Sequence, residues 1–110
     1  MALKGAIPYG AGMSEEKSID AGKWLRRRDA WLRQLVSNPH VSRNAKVVGV
    51  YLAMRMSAKR PFTYPGIKTI AKALDTSSRH VSRALSELED EMFISVNRPK
   101  GRVPKYRLDL

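Results

Sequence analysis

The sequence predicts a single, mainly helical domain that ends in a small β-hairpin. Apolar residues recur at helical spacing in four successive segments, at about 21–38, 43–57, 67–74 and 78–90. After residue 92 the apolar spacing changes to the alternation that is typical of strands. The chain has 110 residues, of which 43% are hydrophobic, and this suffices for one core. We therefore expect one domain at 21–110, preceded by a flexible, glycine-containing arm at 1–20.

The first predicted helix has an apolar stripe with steps of three and four residues. Its members are Trp24, Leu25, Trp31, Leu32, Leu35 and Val36. Arg28 falls within this stripe, where its stem can cover Trp31 while its head group reaches water. Asn38-Pro39 ends the segment, because proline disfavours a helical residue before it.

The second predicted helix is apolar on two sides. Ser42 is a suitable N-cap for it. One stripe consists of Ala45, Val48, Leu52 and Met56, and the opposite one of Val47, Val50, Tyr51 and Met54. Such a helix is either central in a small bundle or half of a dimer interface. Gly49 allows a second backbone to approach it closely.

Residues 67–88 have the organisation of a helix-turn-helix. Ala71 is a small inward residue where the second helix must cross closely, and Ser77 caps that helix after a tight turn at Asp75-Thr76. Many helix-turn-helix proteins have glycine where this chain has Asp75, but aspartate tolerates left-handed geometry better than most residues. Val81, Leu85 and Leu88 are expected to face inward, opposite a polar face that suits a DNA major groove.

The hairpin that follows has a basic tip. Residues 93–97 and 106–110 are its predicted strands, and Arg98-Pro99-Lys100-Gly101-Arg102 connects them. Lysine and arginine at such a tip are suited to contacts with phosphates.

Charge points to a polyanionic partner. The formal net charge is +11, and the basic excess lies at 21–60 and 91–110, on either side of a neutral centre. Such self-repulsion is best tolerated when a polyanion neutralises it. Nucleic acid is the first candidate and an anionic membrane surface the second, while a basic surface kept for solubility is the alternative without a partner.

Residues 63–110 resemble the winged helix-turn-helix domains of bacterial and phage regulators and of plasmid and phage replication initiators. The matching positions are Pro65, Ile70, Ala71, Leu74, Ser77, Val81, Arg83, Ala84, Leu85, Leu88, Glu89, Ile94, Val96, Tyr106 and Leu108. The resemblance implies a reading helix at 78–90 and a wing at about 92–109. The DNA-binding residues that we predict are Ser77, Ser78, Arg79, His80, Ser82, Arg83, Arg98, Lys100, Arg102 and Lys105.

The chain has few residues suited to catalysis or metal binding. It has no cysteine, and its two histidines, His40 and His80, have no carboxylate partners nearby in the sequence. It also lacks a G-x-S-x-G motif and a phosphate-binding loop. We therefore expect no enzyme activity, no catalytic residue, no cofactor and no metal.

Two features of the N-terminal half allow a second interpretation. Trp24, Trp31 and Tyr51 are either core residues or a stacking platform for single-stranded nucleic acid. Arg26-Arg27-Arg28 either binds phosphates or forms a solvated basic face.

The function that we expect is sequence-specific binding of double-stranded DNA, by a transcription regulator or by the origin-binding domain of an initiator. One alternative is a winged-helix adaptor for protein partners, and another is an amphipathic basic helix at 21–38 on a membrane surface. A homodimer through the N-terminal helices and a monomer are both compatible with the pattern. We find no apolar run that would span a membrane and no secretory signal, and expect a cytoplasmic protein.

Overall fold

The structure is a computed structural model that describes residues 20–110. Its elements are α1 (Ala21–Ser37), α2 (Arg43–Met54), α3 (Ile67–Ala73), α4 (Ser78–Asp90), β1 (Ile94–Asn97) and β2 (Lys105–Leu108). The predicted mainly helical fold with a terminal hairpin is confirmed. The arm predicted at 1–20 lies outside the described residues, apart from Asp20.

Side-chain caps begin three of the helices. Asp20 accepts a hydrogen bond from the Lys23 amide at 3.2 Å, and Ser42 accepts one from the Ala45 amide at 3.2 Å. Each cap satisfies an amide that has no partner inside its helix. Ser77 begins α4 in the same way, as its sequence position predicts.

The helix predicted at 43–57 is shorter than expected. It ends at Met54, and Arg55 is its C-cap. Met56 continues the apolar stripe of the sequence and is buried, but it reaches the core from the loop that follows α2. The apolar spacing therefore predicted the burial of Met56 correctly and its secondary structure wrongly.

The core lies between α2 and α4 and is closed by α1 on one side and the hairpin on another. Leu52, Val81 and Leu88 have no exposed surface. In α1 the buried residues are Trp24, Trp31 and Leu35, whereas Leu25 and Val36 are 43% and 56% exposed. The stripe predicted for α1 is therefore too wide, because α1 contacts the rest of the domain along only part of it.

Gly49 lies where α1 crosses α2. A Cβ atom added there would lie 2.6 Å from Leu35 Cδ2 and 3.4 Å from Trp31 Cη2. Both of those side chains are buried. The neighbours of Gly49 are therefore buried side chains of α1 in the same chain, and not the second backbone that the sequence predicted.

Trp31 connects α1 to the start of the hairpin. Its Nε1 donates a buried hydrogen bond of 2.8 Å to the Phe93 carbonyl oxygen, and the two rings meet edge to face at 5.9 Å. Arg28, by contrast, lies against Trp24 and not against Trp31, with its Cζ 5.6 Å from the Trp24 ring centroid. The interaction is a cation–π contact between two residues that are four positions apart on α1.

The hairpin is a two-stranded antiparallel sheet with an added bridge. Ile94 pairs with Leu108 and Val96 with Tyr106. Thr63, in the connection between α2 and α3, forms an isolated bridge to Tyr106 through two backbone hydrogen bonds of 3.0 and 2.7 Å. Thr63 and Tyr106 are both buried, on the inner face of the hairpin.

Candidate nucleic-acid interface

The turn between α3 and α4 is closed by a hydrogen-bonded C-cap. The Thr76 amide donates to the Ala71 carbonyl at 2.9 Å, and the Asp75 amide donates to the Lys72 carbonyl at 3.3 Å. Asp75 has a φ of 53°, the left-handed conformation that this cap requires. The geometry predicted for Asp75 is therefore confirmed, and it fixes the direction in which α4 leaves α3.

The outer face of α4 is free for a ligand. Val81, Ala84, Leu85 and Leu88 are buried, and the side chains on the opposite face are Ser78, Arg79, His80, Ser82, Arg83 and Ser86, all of them exposed. Within residues 20–110, neither Arg79 nor Arg83 takes part in an ion pair. They are four residues apart, so both guanidinium groups project from the same side of the helix.

Two predicted site residues near the start of α4 already have partners inside the domain. The Ser77 hydroxyl accepts a hydrogen bond from the His80 amide at 3.1 Å, so it is the helix cap. The Nδ1 atom of His80 lies 3.2 Å from the Thr76 hydroxyl, which orients the imidazole toward the turn. Both residues remain exposed at the end of α4 where free amides favour an anion.

Glu87 connects α4 to the start of α2. Its two carboxylate oxygens accept hydrogen bonds from the Ser42 amide at 2.6 Å and from the Ser42 hydroxyl at 2.7 Å. Arg83, one turn earlier on α4, is not bonded to this carboxylate. The contact fixes the α2–α4 crossing and leaves the Arg83 guanidinium available.

Arg98, at the base of the wing, is held by α4. Its guanidinium donates two hydrogen bonds to the Glu89 carboxylate, at 2.8 and 3.1 Å. These hydrogen bonds lower the pKa of Glu89 and raise the pKa of Arg98. The predicted DNA contact at Arg98 thus belongs to a residue whose charge is already paired in this structure.

The other predicted wing residues differ in their surroundings. Lys100 and Arg102 are exposed on either side of Gly101, whose φ of 74° turns the tip. Lys105 lies at the start of β2, and its Nζ is 4.4 Å from the centroid of the Phe62 ring. Lys100 and Arg102 therefore form the free basic tip, while Lys105 belongs to the side of the sheet.

A group of aromatic and basic residues beside the wing was not predicted. We call it the sheet-face cluster, and its members are Arg60, Phe62, Tyr64, Lys105 and Arg107. Apart from Lys105, none of these is among the residues predicted from the sequence. Phe62 and Tyr64 lie between Pro61 and Pro65, and prolines argue against a strand. The signal that could have revealed them is the two-residue alternation at 60, 62 and 64.

The order and contacts of the elements define the architecture of the domain. A helix, a left-handed turn and a second helix are followed by an antiparallel hairpin that an ion pair joins to the second helix. The chain folds as a winged helix-turn-helix. In that arrangement α4 has the position of the reading helix, and residues 94–108 have the position of the wing.

No protein-family model matches the chain, and no curated protein matches it. Among solved structures it is similar to the homodimeric winged helix-turn-helix DNA-binding domain of a possible ArsR-family transcriptional regulator from Mycobacterium bovis. The sequence identity is 17%, the match covers 84% of this chain and 73% of that one, and the TM-score is 0.46. A likeness this distant carries no argument about ligand or assembly.

The structure decides one of the two alternatives in the N-terminal half. Trp24 and Trp31 are 2% and 4% exposed, so they are core residues and offer no stacking platform. Of the run Arg26-Arg27-Arg28, the first two side chains are exposed and Arg28 is half-buried against Trp24, so phosphate binding by this run stays a prediction. In the part of the chain that the structure describes, no helix is both long and apolar enough to cross a membrane.

No metal site is formed by residues 20–110. Within that range, no group of three or more histidine, aspartate or glutamate residues lies close enough together to hold an ion. The features that remain available for a ligand are the polar face of α4, the tip of the wing and the sheet-face cluster.

Proposed function

We propose that the protein is a non-enzymatic, sequence-specific binder of double-stranded DNA. In this proposal α4 enters the major groove and the wing contacts the backbone or the minor groove. The observation that carries it is the polar face of α4, where the exposed guanidinium groups of Arg79 and Arg83 project among short hydroxyl side chains. Arginine can pair with the O6 and N7 atoms of guanine, and serine allows close approach to the backbone.

The charges around α4 support the same proposal. Lys100 and Arg102 at the wing tip are exposed, and the Glu89–Arg98 pair keeps the base of the wing against α4. A shallow hollow of about 250 Å³ beside the α3–α4 turn includes Arg43 and Asn44 in its lining. Lys100 and Arg102 on one side of α4, and Arg43 and Asn44 on the other, would bind phosphates. Such contacts position the protein on the duplex but carry no direct sequence information.

A salt titration tests the binding mode. If about 6 phosphates are neutralised, the logarithm of duplex affinity should fall against the logarithm of salt concentration with a slope of about −5. Selection of bound duplexes from a random pool should then yield one enriched sequence. Affinity that does not change between low and moderate salt, or a pool that stays random, would contradict the proposal and favour a protein-adaptor role.

The exposed apolar surface of α2 supports association with a second copy of the chain. A groove of about 460 Å³ along this helix has an almost entirely apolar lining, made by Val36, Lys46, Val47, Val50, Tyr51, Met54 and Leu74. Met54 is 76% exposed and Val47 is 47% exposed. Residues 20–110 leave Val47 and Met54 exposed and cover Val50 and Tyr51 only in part. An exposed apolar patch of this kind is typical of an interface.

The selected sequence also bears on the process that the protein serves. A transcription regulator that binds as a two-fold dimer should select an inverted repeat with half-sites about one DNA turn apart. An initiator that binds in several copies should select direct repeats. The order of the repeats therefore distinguishes the two roles within the same experiment.

A further inference from the structure

The outer face of the short sheet carries the sheet-face cluster. Side chains alternate across a strand, so Phe62 and Tyr64 lie on the face opposite to buried Thr63, and Lys105 and Arg107 lie opposite to buried Tyr106. Arg98 reaches α4 from the inner side of β1. The cluster thus lies on the side of the sheet that does not contact the reading helix.

Several cations converge on the aromatic rings of this face. Lys105 Nζ, Arg107 Cζ and Arg60 Cζ lie 4.4, 5.4 and 5.6 Å from the Phe62 ring centroid. The rings of Phe62 and Tyr64 are nearly parallel, at 19° and a centroid distance of 6.4 Å. Arg60 also donates a hydrogen bond of 3.0 Å to the Tyr64 hydroxyl.

The cluster has no acidic counterpart among the described residues. The two ion pairs at 20–110 lie elsewhere, and the open hollow of about 500 Å³ beside the rings is lined by Phe62, Tyr64, Asn97, Pro99, Arg102, Val103 and Lys105. Its only charged lining residues are basic, and Tyr64 is 46% exposed. Positive charge without compensation beside the exposed Tyr64 ring is complementary to phosphate groups beside unpaired bases.

We propose that the sheet-face cluster binds single-stranded nucleic acid, as a site separate from the duplex site proposed for α4. Unpaired bases stack on Tyr64 and Phe62, and Arg60, Lys105 and Arg107 hold the adjacent phosphates. Duplex DNA fits this face poorly, because its bases already stack on their neighbours and present only their edges. The protein would then hold a duplex and an unpaired strand on two different faces.

Fluorescence anisotropy with a labelled 16-nucleotide oligo(dT) tests the site. Wild-type protein should bind oligo(dT) at least about 5-fold more tightly than an abasic strand of the same length, because the abasic strand has no bases to stack on the rings. Tyr64→Ala should reduce oligo(dT) affinity about 10-fold and bring it close to the affinity of the wild-type protein for the abasic strand. Tyr64→Phe retains the ring and should keep wild-type affinity.

The duplex site supplies the matched control. An Arg79→Ala/Arg83→Ala variant should lose duplex affinity and retain oligo(dT) binding, whereas Tyr64→Ala should leave duplex affinity within about 2-fold. Circular dichroism melting of each variant shows whether it is folded. Arg107→Gln is a second surface variant, and we expect it to lose oligo(dT) binding as Tyr64→Ala does. Equal affinity for oligo(dT) and the abasic strand, or a Tyr64→Ala loss that is the same for duplex and single strand, would overturn the proposal.

Discussion

The Arg98 guanidinium donates hydrogen bonds to both carboxylate oxygens of Glu89, at 2.8 and 3.1 Å. Glu89 lies in the last turn of α4, and Arg98 directly follows β1. The pair therefore joins the wing to the reading helix by side chains, in addition to the backbone that connects them. The bidentate geometry restricts orientation as well as distance.

If this pair positions the wing, removal of either partner should have the same effect. We expect Glu89→Gln and Arg98→Gln to lower the hydrogen-exchange protection of the β1 and β2 amides by similar factors. The double variant should lower it no further, since the two residues act through one contact. Additive losses would show that Arg98 and Glu89 act independently.

Acidification is the control for this experiment. Arg98 holds the pKa of Glu89 below its ordinary value, so the contribution of the pair is complete above the unfolded-state pKa of about 4.3. It disappears as the pH falls through the lower pKa of the folded protein. In this acidic window the hydrogen-exchange protection of the wild-type β1 and β2 amides should therefore decrease toward the value in Glu89→Gln. The same protection in Glu89→Gln should depend less on pH.

Met92 occupies a backbone conformation that suits glycine. Its φ is 63°, and the Phe93 and Met92 amides donate to the Leu88 and Glu89 carbonyls in the same type of cap that Asp75 completes after α3. The Met92 side chain is 75% exposed, so little packing would be lost. We expect Met92→Gly to raise the free energy of unfolding by about 0.5–1 kcal/mol, as measured by urea denaturation.

Two further glycine variants make this test specific. Asp75→Gly should stabilise less than Met92→Gly, because aspartate tolerates the left-handed region better. Glu91→Gly should destabilise, since Glu91 has a φ of −85° and gains nothing from glycine. A loss of stability in Met92→Gly as large as that in Glu91→Gly would contradict the assignment of strain to Met92.

The local features of this fold could be predicted from sequence because each depends on nearby residues. The caps at Ser42 and Ser77 and the left-handed Asp75 follow from side-chain chemistry within a few positions. The exposure of Leu25 and Val36 could not be predicted in this way, because it depends on how far the neighbouring helix extends across α1.

The sheet-face cluster was missed for a similar reason. Thr63 becomes part of the sheet only by pairing with Tyr106, which is 43 positions later in the chain. Without that pairing, the alternation of Phe62 and Tyr64 between two prolines has no defined inner and outer side. The partner of Arg98 could likewise not be predicted from the sequence, because Glu89 and Arg98 meet only when the hairpin folds against α4.

The α1–α2 crossing should not tolerate a larger residue at Gly49. Alanine normally favours a helix over glycine by about 0.5–1 kcal/mol. At Gly49 its Cβ would meet Leu35 Cδ2 at 2.6 Å, and Leu35 is fully buried and cannot move aside easily. We expect Gly49→Ala to lower the free energy of unfolding by about 1–3 kcal/mol, measured by urea denaturation.

Gly22→Ala is the matched control for Gly49→Ala. Gly22 lies in the first turn of α1, and its nearest contact for an added Cβ is the flexible end of Arg26 at 3.4 Å. This variant should be neutral or slightly stabilising. Equal effects at the two glycines would show that the crossing adapts to the extra methyl group.

Reading helix and wing should contribute differently to DNA recognition. We expect Arg79→Ala and Arg83→Ala to reduce the discrimination between selected and random duplexes, by about 1–3 kcal/mol for each arginine that pairs with a base. Lys100→Ala and Arg102→Ala should weaken binding to all duplexes similarly, since phosphate contacts carry no direct sequence information. Competition binding with both duplexes measures the two quantities. A change of preferred sequence in the wing variants alone would reverse the assignment.

The apolar groove on α2 predicts self-association. Sedimentation of the free wild-type protein should give twice the chain mass of 12.4 kDa. Met54 lines the groove and is 76% exposed, so Met54→Glu should place a charge in the interface and yield the monomer without loss of helix content. Met92 is 75% exposed and lies outside the groove lining, which makes Met92→Glu a control with the same change in side chain.

The dimer also has a consequence for DNA binding. One reading helix contacts only a few base pairs, whereas a two-fold dimer places two such helices about one DNA turn apart. Met54→Glu should therefore lose affinity for an inverted repeat and keep its affinity for a single half-site, while Met92→Glu should bind both as the wild type does. A wild-type mass of 12.4 kDa together with unchanged inverted-repeat binding in Met54→Glu would show that the groove does not join two copies.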